Sequence, residues 1–325
     1  MTTKPHEFPK RRAGEPPALV LGAMNFGSRT PAPEAERITR RALERGILYY
    51  DTANSYNAGQ SEIILGRALG KDRERVVLST KCGLGVEMMV KREGLTPEAM
   101  RKALPASLER MGTDYADLYY LHVPDRAAPI EATLDTMAEL VASGKVKAWA
   151  TSNYAAWEIL EMRTLAAARG LAPPAAAQAL YNVLHRQLDI EYFAYARRYP
   201  VQTIAYNALA GGLLSGRYAF DAQRGKESRF EQLPMYQGRY WTKEMFSRVD
   251  EVTAVAKGEG LSLVELAYAW LAARPDVDAV LVGPGTVEHL DQAIDAIARP
   301  LSPDARRRLD ELNRSWIGSD TNYVR

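Results

Sequence analysis

Ile47-Leu48-Tyr49-Tyr50-Asp51-Thr52-Ala53-Asn54-Ser55-Tyr56 opens as an apolar, β-prone run and closes on a carboxylate, with a phenol five positions later beyond a polar turn. Ser61–Gly70 (SEIILGRALG) follows with apolar residues at helical spacing. The stretch reads as a strand that delivers Asp51 to its carboxyl end, a loop that holds Tyr56 beside it, and a helix. Taken alone it is equally an ordinary strand end with a solvated Asp and a half-buried loop aromatic. Repetition of the same layout along the chain decides between the two.

Outward from this unit the pattern recurs. Ala18–Met24 (ALVLGAM) pairs with a helix over Pro33–Gly46, and Val76–Cys82 (VVLSTKC) with one over Thr96–Gly112, where Thr96 can cap and Pro97 suits the first helical position. Ala116–Pro124 leads to Pro129–Gly144, Val146–Asn153 to Ala155–Gly170, and Ala175–Tyr181 to roughly Ile190–Tyr199. Val201–Ala208 is a seventh strand and Ala279–Pro284 an eighth, followed by a helix over Thr286–Ala298. Strands apolar almost throughout need a parallel sheet covered on both faces or closed on itself, and eight strand-then-helix units favour the closed (β/α)8 barrel, a TIM barrel. A doubly wound sheet is the alternative, but no strand is followed by a GxGxxG turn.

Two segments exceed a minimal barrel. Leu209–Trp241, after strand seven, is too long for a plain connection and reads as a lid or binding loop. A further helix over about Thr242–Lys257 precedes the capping box Ser262-x-x-Glu265, which starts the barrel's own seventh helix. Ser302-Pro303 starts a last helix ending near Trp316, before a polar tail. Residues 18–325 thus form one domain, and 1–17 a flexible leader.

Of 325 residues, 42 are basic and 40 acidic, so no net field points to nucleic acid or a membrane surface. The only cysteine, Cys82, excludes internal disulfides and fits a reducing, cytoplasmic setting. The histidines His6, His122, His185 and His289 have no cysteine partners at zinc spacing, so no metal is expected. His185 and His289 read as surface residues. A homodimer is left open.

In such barrels chemistry collects at the carboxyl ends of the strands. There stand Asp51 and Tyr56, Lys81, His122, Ser152 and Asn153, Gln178, and Tyr206 and Asn207. A phenol titrates near pH 10, and an adjacent ammonium lowers that by favouring the phenolate. Lys81 can supply the ammonium, held by Asp51, while neutral His122 donates a hydrogen bond to a carbonyl oxygen. The group would protonate an oxygen as hydride reaches its carbon. Ser152, Asn153 and Gln178 match a carboxamide, and Tyr206 a pyridine ring, which together describe a nicotinamide pocket.

These residues resemble the aldo-keto reductase superfamily from about Val20 to Arg325, through ILYYDTANSYNAGQSEIILGRAL, the lysine of STKCG, the histidine of YLHVPD, and SNYAAWE. The resemblance implies a catalytic tetrad of Asp51, Tyr56, Lys81 and His122, with Tyr56 the proton donor, His122 also facing substrate and Asp51 also facing cofactor. It puts Ser152, Asn153, Gln178 and Tyr206 on the nicotinamide. LGAMNFG, YNALAGGLLSGRY, SRF, MYQGRYW and NYVR resemble more narrowly the aflatoxin-aldehyde and succinic-semialdehyde reductase branch. That branch implies NADPH, with Asn207, Leu209, Gly211, Gly212, Ser215 and Arg217 over its diphosphate and Arg229 nearby. Gly283, Thr286 and Gln292 would lie at the adenosine phosphate. It also implies that Tyr236, Arg239 and Arg325 meet an acidic substrate, which suits the fixed fork of a guanidinium.

Some positions depart from the branch. His289 and Ala293 replace a glutamine and an asparagine, Ala208 replaces a common proline, and no arginine stands in Gly283–Gln292. A 2′-phosphate would then lean on Thr286, the helix amino end and Arg229. The expected activity is NADPH-dependent reduction of small acidic or dicarbonyl aldehydes. The alternatives are a nicotinamide-binding, redox-sensing subunit with slow turnover, and a Schiff-base enzyme with Lys81 as nucleophile, which would leave Asp51 and Tyr56 idle.

Overall fold

Val77–Cys82 and Ala116–Leu121 are buried at every position, which a strand achieves only where both faces of its sheet are covered. In the computed structural model, which describes residues 11–12, 14–85, 92–222, 225 and 228–318, eight parallel strands close into a barrel in sequence order. They are β1 (Ala18–Gly22), β2 (Tyr49–Asp51), β3 (Val77–Cys82), β4 (Ala116–Leu121), β5 (Val146–Ser152), β6 (Ala176–Leu180), β7 (Gln202–Tyr206) and β8 (Ala279–Val282). Closure runs through β1, where Leu21 lies opposite Val282 of β8 and Gly22 opposite Asp51 of β2.

The helices on the outside are α1 (Ala32–Glu44), α2 (Gln60–Leu69), α3 (Pro97–Met111), α4 (Ile130–Ala142), α5 (Ala156–Ala167) and α6 (Tyr192–Arg198). After β7 come α7 (Arg229–Gln232), α8 (Pro234–Tyr240), α9 (Lys243–Gly258) and α10 (Leu263–Ala272), and after β8 come α11 (Val287–Ile297) and α12 (Pro303–Ile317). Thr96 caps α3 by accepting from Ala99 N at 3.3 Å. Ser262 and Glu265 close the expected capping box on α10. Gly66 lets α2 approach α3, since a Cβ there would stand 2.2 Å from the Met111 carbonyl oxygen.

Side chains alternate between the barrel's inside and its outer wall. Val20, Leu118, Tyr120, Ala150, Ala176, Ile204 and Ala279 fill the interior. One outer cluster gathers Tyr50, Tyr119 and Trp149 against the earlier helices, and another Tyr181 and Trp270 against the later ones. The second cluster also takes in Phe230, Tyr236 and Tyr240.

That last point resolves the long segment after β7. It holds a 3-10 stretch, Ala210–Ser215, then α7 and α8. Four residues cannot sustain a helix in water. Burial of Phe230, worth about 2–3 kcal/mol, holds α7, together with the Ser228 hydroxyl, which accepts from Phe230 N at 3.2 Å. β2 is shorter than the expected Ile47–Ala53, because the chain beyond Asp51 leaves regular pairing while still bonding to β3 through Thr52 N and Asn54 N.

Residues 1–10 of the expected leader lie outside the described residues. Arg11, near its end, donates to the carbonyls of Ala272 and Arg274 at the end of α10, and its backbone N–H to Asp278. Among the described residues no helix is long and apolar enough to cross a membrane.

Candidate active site

β2 and β3 are neighbours, and their register sets Asp51 beside Ser79, two residues before Lys81 on the same face of β3. Lys81 is fully enclosed and paired with Asp51. Its other donors reach Thr52 O at 2.8 Å and the Tyr56 hydroxyl at 3.4 Å, so all three N–H groups of the ammonium are engaged. On the far side Asp51 accepts from Ser79 Oγ at 2.8 Å and Gln178 Nε2 at 3.0 Å. The pair is buried with its hydrogen-bonding capacity satisfied, the condition under which burial of two charges is tolerated.

Tyr56 begins a 3-10 turn in which Asn57 and Ala58 are left-handed (φ 51° and 53°). Asn57 holds that conformation because its amide donates to Met24 O and Phe26 O, fastening the Tyr56 loop to the loop after β1. Asn57 was not singled out from the sequence. An Asn before an Ala, ahead of a helix, is a recognisable turn signal, but its partners are distant in the chain. His122, at the end of β4, meets Tyr56 edge-on with centroids 5.7 Å apart. The four residues expected to act together are thus adjacent.

Their protonation differs from expectation in one respect. The Tyr56 phenol was expected to be lowered by Lys81, but it is held well above its ordinary value, first by burial, then by Asp51 and the neighbouring Tyr236 and Tyr206, with Arg229 acting the other way. Lys81 is itself lowered by burial, which Asp51 opposes, and its charge is matched at contact by that carboxylate. Desolvation therefore wins at Tyr56. His122 is pushed well below its usual value by burial and then by Lys81, so the imidazole is neutral, and its buried Nδ1 has no partner among the described residues. Cys82, next to Lys81, points into the outer wall. Burial pushes its thiol up to about 12, with Sγ 3.7 Å from Tyr120 O.

The expected nicotinamide residues line the adjoining strand ends. Asn153, left-handed at φ 65°, donates to His122 O and to Ser152 Oγ, both at 3.0 Å, and accepts from the Tyr206 hydroxyl at 2.7 Å. Arg239 in turn acts on the Tyr206 hydroxyl, which places it beside the ring proposed to meet nicotinamide. Gln178 has committed its amide nitrogen to Asp51. Asn207, also left-handed, ties Gly211 N to its side-chain oxygen at 2.6 Å and donates to the Tyr240 hydroxyl at 2.7 Å.

The lid packs closely. At Gly211 (φ 73°) a Cβ would stand 2.8 Å from the Tyr236 ring, so the residue has to be glycine for conformation and space alike. Arg229 lies over Tyr236, 4.9 Å from the ring centroid. Leu209, Gly212 and Ser215 are half-buried, and Arg217 is exposed, bonded to Ser215 Oγ at 3.2 Å. Gly283 and Gln292 are exposed, and Thr286 caps α11 by accepting from His289 N at 3.3 Å. Arg325 lies outside the described residues.

Three further residues bear on the site. Asn25 and Arg29, in the loop after β1, reach Arg229 and Gly283. Glu34, from the first turn of α1, accepts from Val287 N at 3.0 Å and so occupies the amino end of α11 where a phosphate was expected to lean. Sequence carried no signal for these meetings, which depend on β8 closing against β1. His185 is not a surface residue. It is buried edge-on against Tyr240 at 4.9 Å, and burial pushes it down to about 4. His289 is exposed as expected.

Among the described residues no group of three or more His, Cys, Asp or Glu side chains could hold a metal ion. The sequence model of the aldo/keto reductase family matches residues 18–314. The chain is 36% identical to human aldo-keto reductase family 7 member A3, with 92% of this chain and 94% of that protein aligned. It is 35% identical to human aflatoxin B1 aldehyde reductase member 4 over the same shares, and 33% identical to rat aflatoxin B1 aldehyde reductase member 2 over 95% and 87%. With the closed eightfold barrel and the Asp51–Lys81–Tyr56–His122 cluster on its carboxyl face, the matches show that the chain belongs to the aldo/keto reductase family.

Proposed function

We propose that the protein reduces aldehydes, with ketones as a further substrate class, to alcohols with NADPH, favouring small acidic or dicarbonyl aldehydes such as succinic semialdehyde, and that it does so in the cytoplasm. The observation that carries this reading is the Tyr56 hydroxyl 3.4 Å from Lys81 Nζ, beside a neutral His122. A phenol held above its ordinary value keeps its proton at neutral pH and can give it up only to an oxygen that is gaining negative charge.

The residues present fit a nicotinamide dinucleotide. Ser152 and Asn153 offer a hydroxyl and an amide at the strand ends beside Tyr206. The buried Arg229 Nε has no acceptor among the described residues, as suits a group that serves an anion. The bound cofactor supplies a hydride. Within the chain, His122 donates a hydrogen bond that orients the carbonyl oxygen, Tyr56 holds the proton that this oxygen will take, and Lys81 stays charged beside it because Asp51 is in contact. The aromatic lid of Phe230, Tyr236 and Tyr240 keeps water out, which strengthens each of these interactions.

The acidic preference rests on guanidinium groups in excess of carboxylates at this face. Arg239 stands beside Tyr206 at the strand ends, and Arg325 would join it. The test follows loss of nicotinamide absorbance with NADPH and with NADH against succinic semialdehyde and 4-nitrobenzaldehyde, for the native protein and Tyr56→Phe. Turnover that needs Tyr56 and is faster with NADPH and the acidic aldehyde supports the proposal. Tight dinucleotide binding without turnover on any carbonyl would instead favour a redox-sensing subunit.

A further inference from the structure

Arg29 and Arg229, 200 positions apart in the sequence, donate to one neutral atom, Asn25 Oδ1, at 3.0 Å in the case of Arg229. Asn25 is fixed for this from below. Its carbonyl accepts from Ser28 N, Ser28 Oγ and Thr30 N, and its amide nitrogen donates to Gly283 O at 3.3 Å at the end of β8. The loops after β1, β7 and β8 thus meet at one carboxamide, with Arg217 and the rings of Tyr218 and Tyr236 around Arg29.

Two guanidinium groups sharing an amide oxygen repel one another, and an amide oxygen carries only a fraction of the charge that would offset this. Among the described residues neither arginine has a carboxylate partner, and Arg229 Nε is buried without any acceptor. Arg29 is pushed down to about 10, by burial first and then by Arg229. Both side chains are half-buried, and cations drawn this far out of water without a counter-charge are uncommon unless an anion joins them.

We propose that Arg29, with Arg229 and Arg217, forms a clamp for the diphosphate of the dinucleotide, and that Asn25 is the positioning residue which holds the clamp in register before the anion arrives. The inference rests on the nicotinamide reading above. Loops after the seventh and eighth strands are where barrels of this type commonly hold phosphate. Arg229 acts on the Tyr56 phenol, and Arg29 reaches the same Asn25 from the loop after β1. Arg239 stands apart at Tyr206, which leaves the substrate acid to a different arginine. Three cations also suit the two charges of a diphosphate better than the single charge of a carboxylate.

The test is titration of NADPH and NADH by fluorescence quenching against the native protein, Arg29→Met and Arg29→Lys, with thermal melts of each cofactor-free protein. Arg29→Met should weaken both dinucleotides alike, by roughly ten- to hundredfold, and Arg29→Lys by less. Its cofactor-free melting point should be unchanged or higher, because a half-buried like-charge pair has been relieved. Loss confined to NADPH would assign Arg29 to the 2′-phosphate. A higher KM for succinic semialdehyde alone would assign it to the substrate acid. Unchanged affinity, or weaker binding with a lower melting point in both variants, would make Arg29 a structural residue; each of these overturns the clamp. Failure of the native protein to bind either dinucleotide would instead sink the nicotinamide reading, and the clamp with it.

Discussion

In the proposed reaction Tyr56 concentrates the chemistry in one hydrogen. Replacing it with Phe removes the proton and leaves the ring's packing, so kcat should fall by roughly 10²–10⁴ while NADPH affinity measured by fluorescence stays near native. Equal loss of binding would mean that the hydroxyl serves cofactor binding rather than proton transfer. On the same proposal Arg239 separates substrate classes. Arg239→Met should raise KM for succinic semialdehyde about ten- to hundredfold and leave 4-nitrobenzaldehyde and NADPH little changed; a matching loss on NADPH would show that its bond to Tyr206 serves the cofactor instead. The tetrad was legible because each member stands at or just past the end of an apolar run, where sequence position is nearly spatial position. The Lys81–Asp51 pair was legible too, but the raised Tyr56 was not, since enclosure depends on what every other loop covers. His185 failed for the same reason: nothing in LHRQL says that Tyr240 will lie against it.

At the scale of elements, α11 is read by what sits on its amino end. Glu34 already offers a carboxylate to Val287 N while pairing with Arg37. If the 2′-phosphate is held there, Glu34→Gln should raise the affinity for NADPH relative to NADH by about two- to fivefold, the size expected of an exposed helix-end charge. An unchanged ratio of dissociation constants would place the phosphate elsewhere. Between α2 and α3, Glu62 is fully enclosed and held by Arg110 Nε at 2.6 Å, its carboxyl raised by burial against the pull of that arginine. Arg110→Met should destabilise the fold by about 3–5 kcal/mol, and Glu62→Gln on top of it should recover part of the loss in a denaturant titration. An additive double variant would show the two to be uncoupled. Helix caps at Thr96 and Ser262 were legible because capping is local. The α7–α8 pair was not, because Phe230, Tyr236 and Tyr240 are held by one another, by Tyr218, Trp241 and His185 and by the turn at Gly211 rather than by spacing.

For the whole molecule, closure was legible in eight repeats of buried strand and amphipathic helix, a count that leaves few other ways to cover every strand. The same enclosure sets its response to acid. His122 and His185 are buried neutral and titrate below their ordinary value, His185 at about 4. The unfolded chain takes up those protons from about pH 6.5 downward, and the native state does not. Stability should therefore be full above that range and fall as pH drops from about 6.5 toward 4. Melting points measured across this window should fall less steeply in His185→Gln than in the native protein, and parallel curves would show that His185 is not a source of the slope. Cys82 carries a different consequence. The chain's one thiol faces the outer wall and is held in its protonated form. α,β-Unsaturated aldehydes alkylate thiolates, so the molecule can meet such electrophiles without offering them a nucleophilic sulfur, and a cysteine introduced on the surface would be its single point of attachment for a maleimide dye.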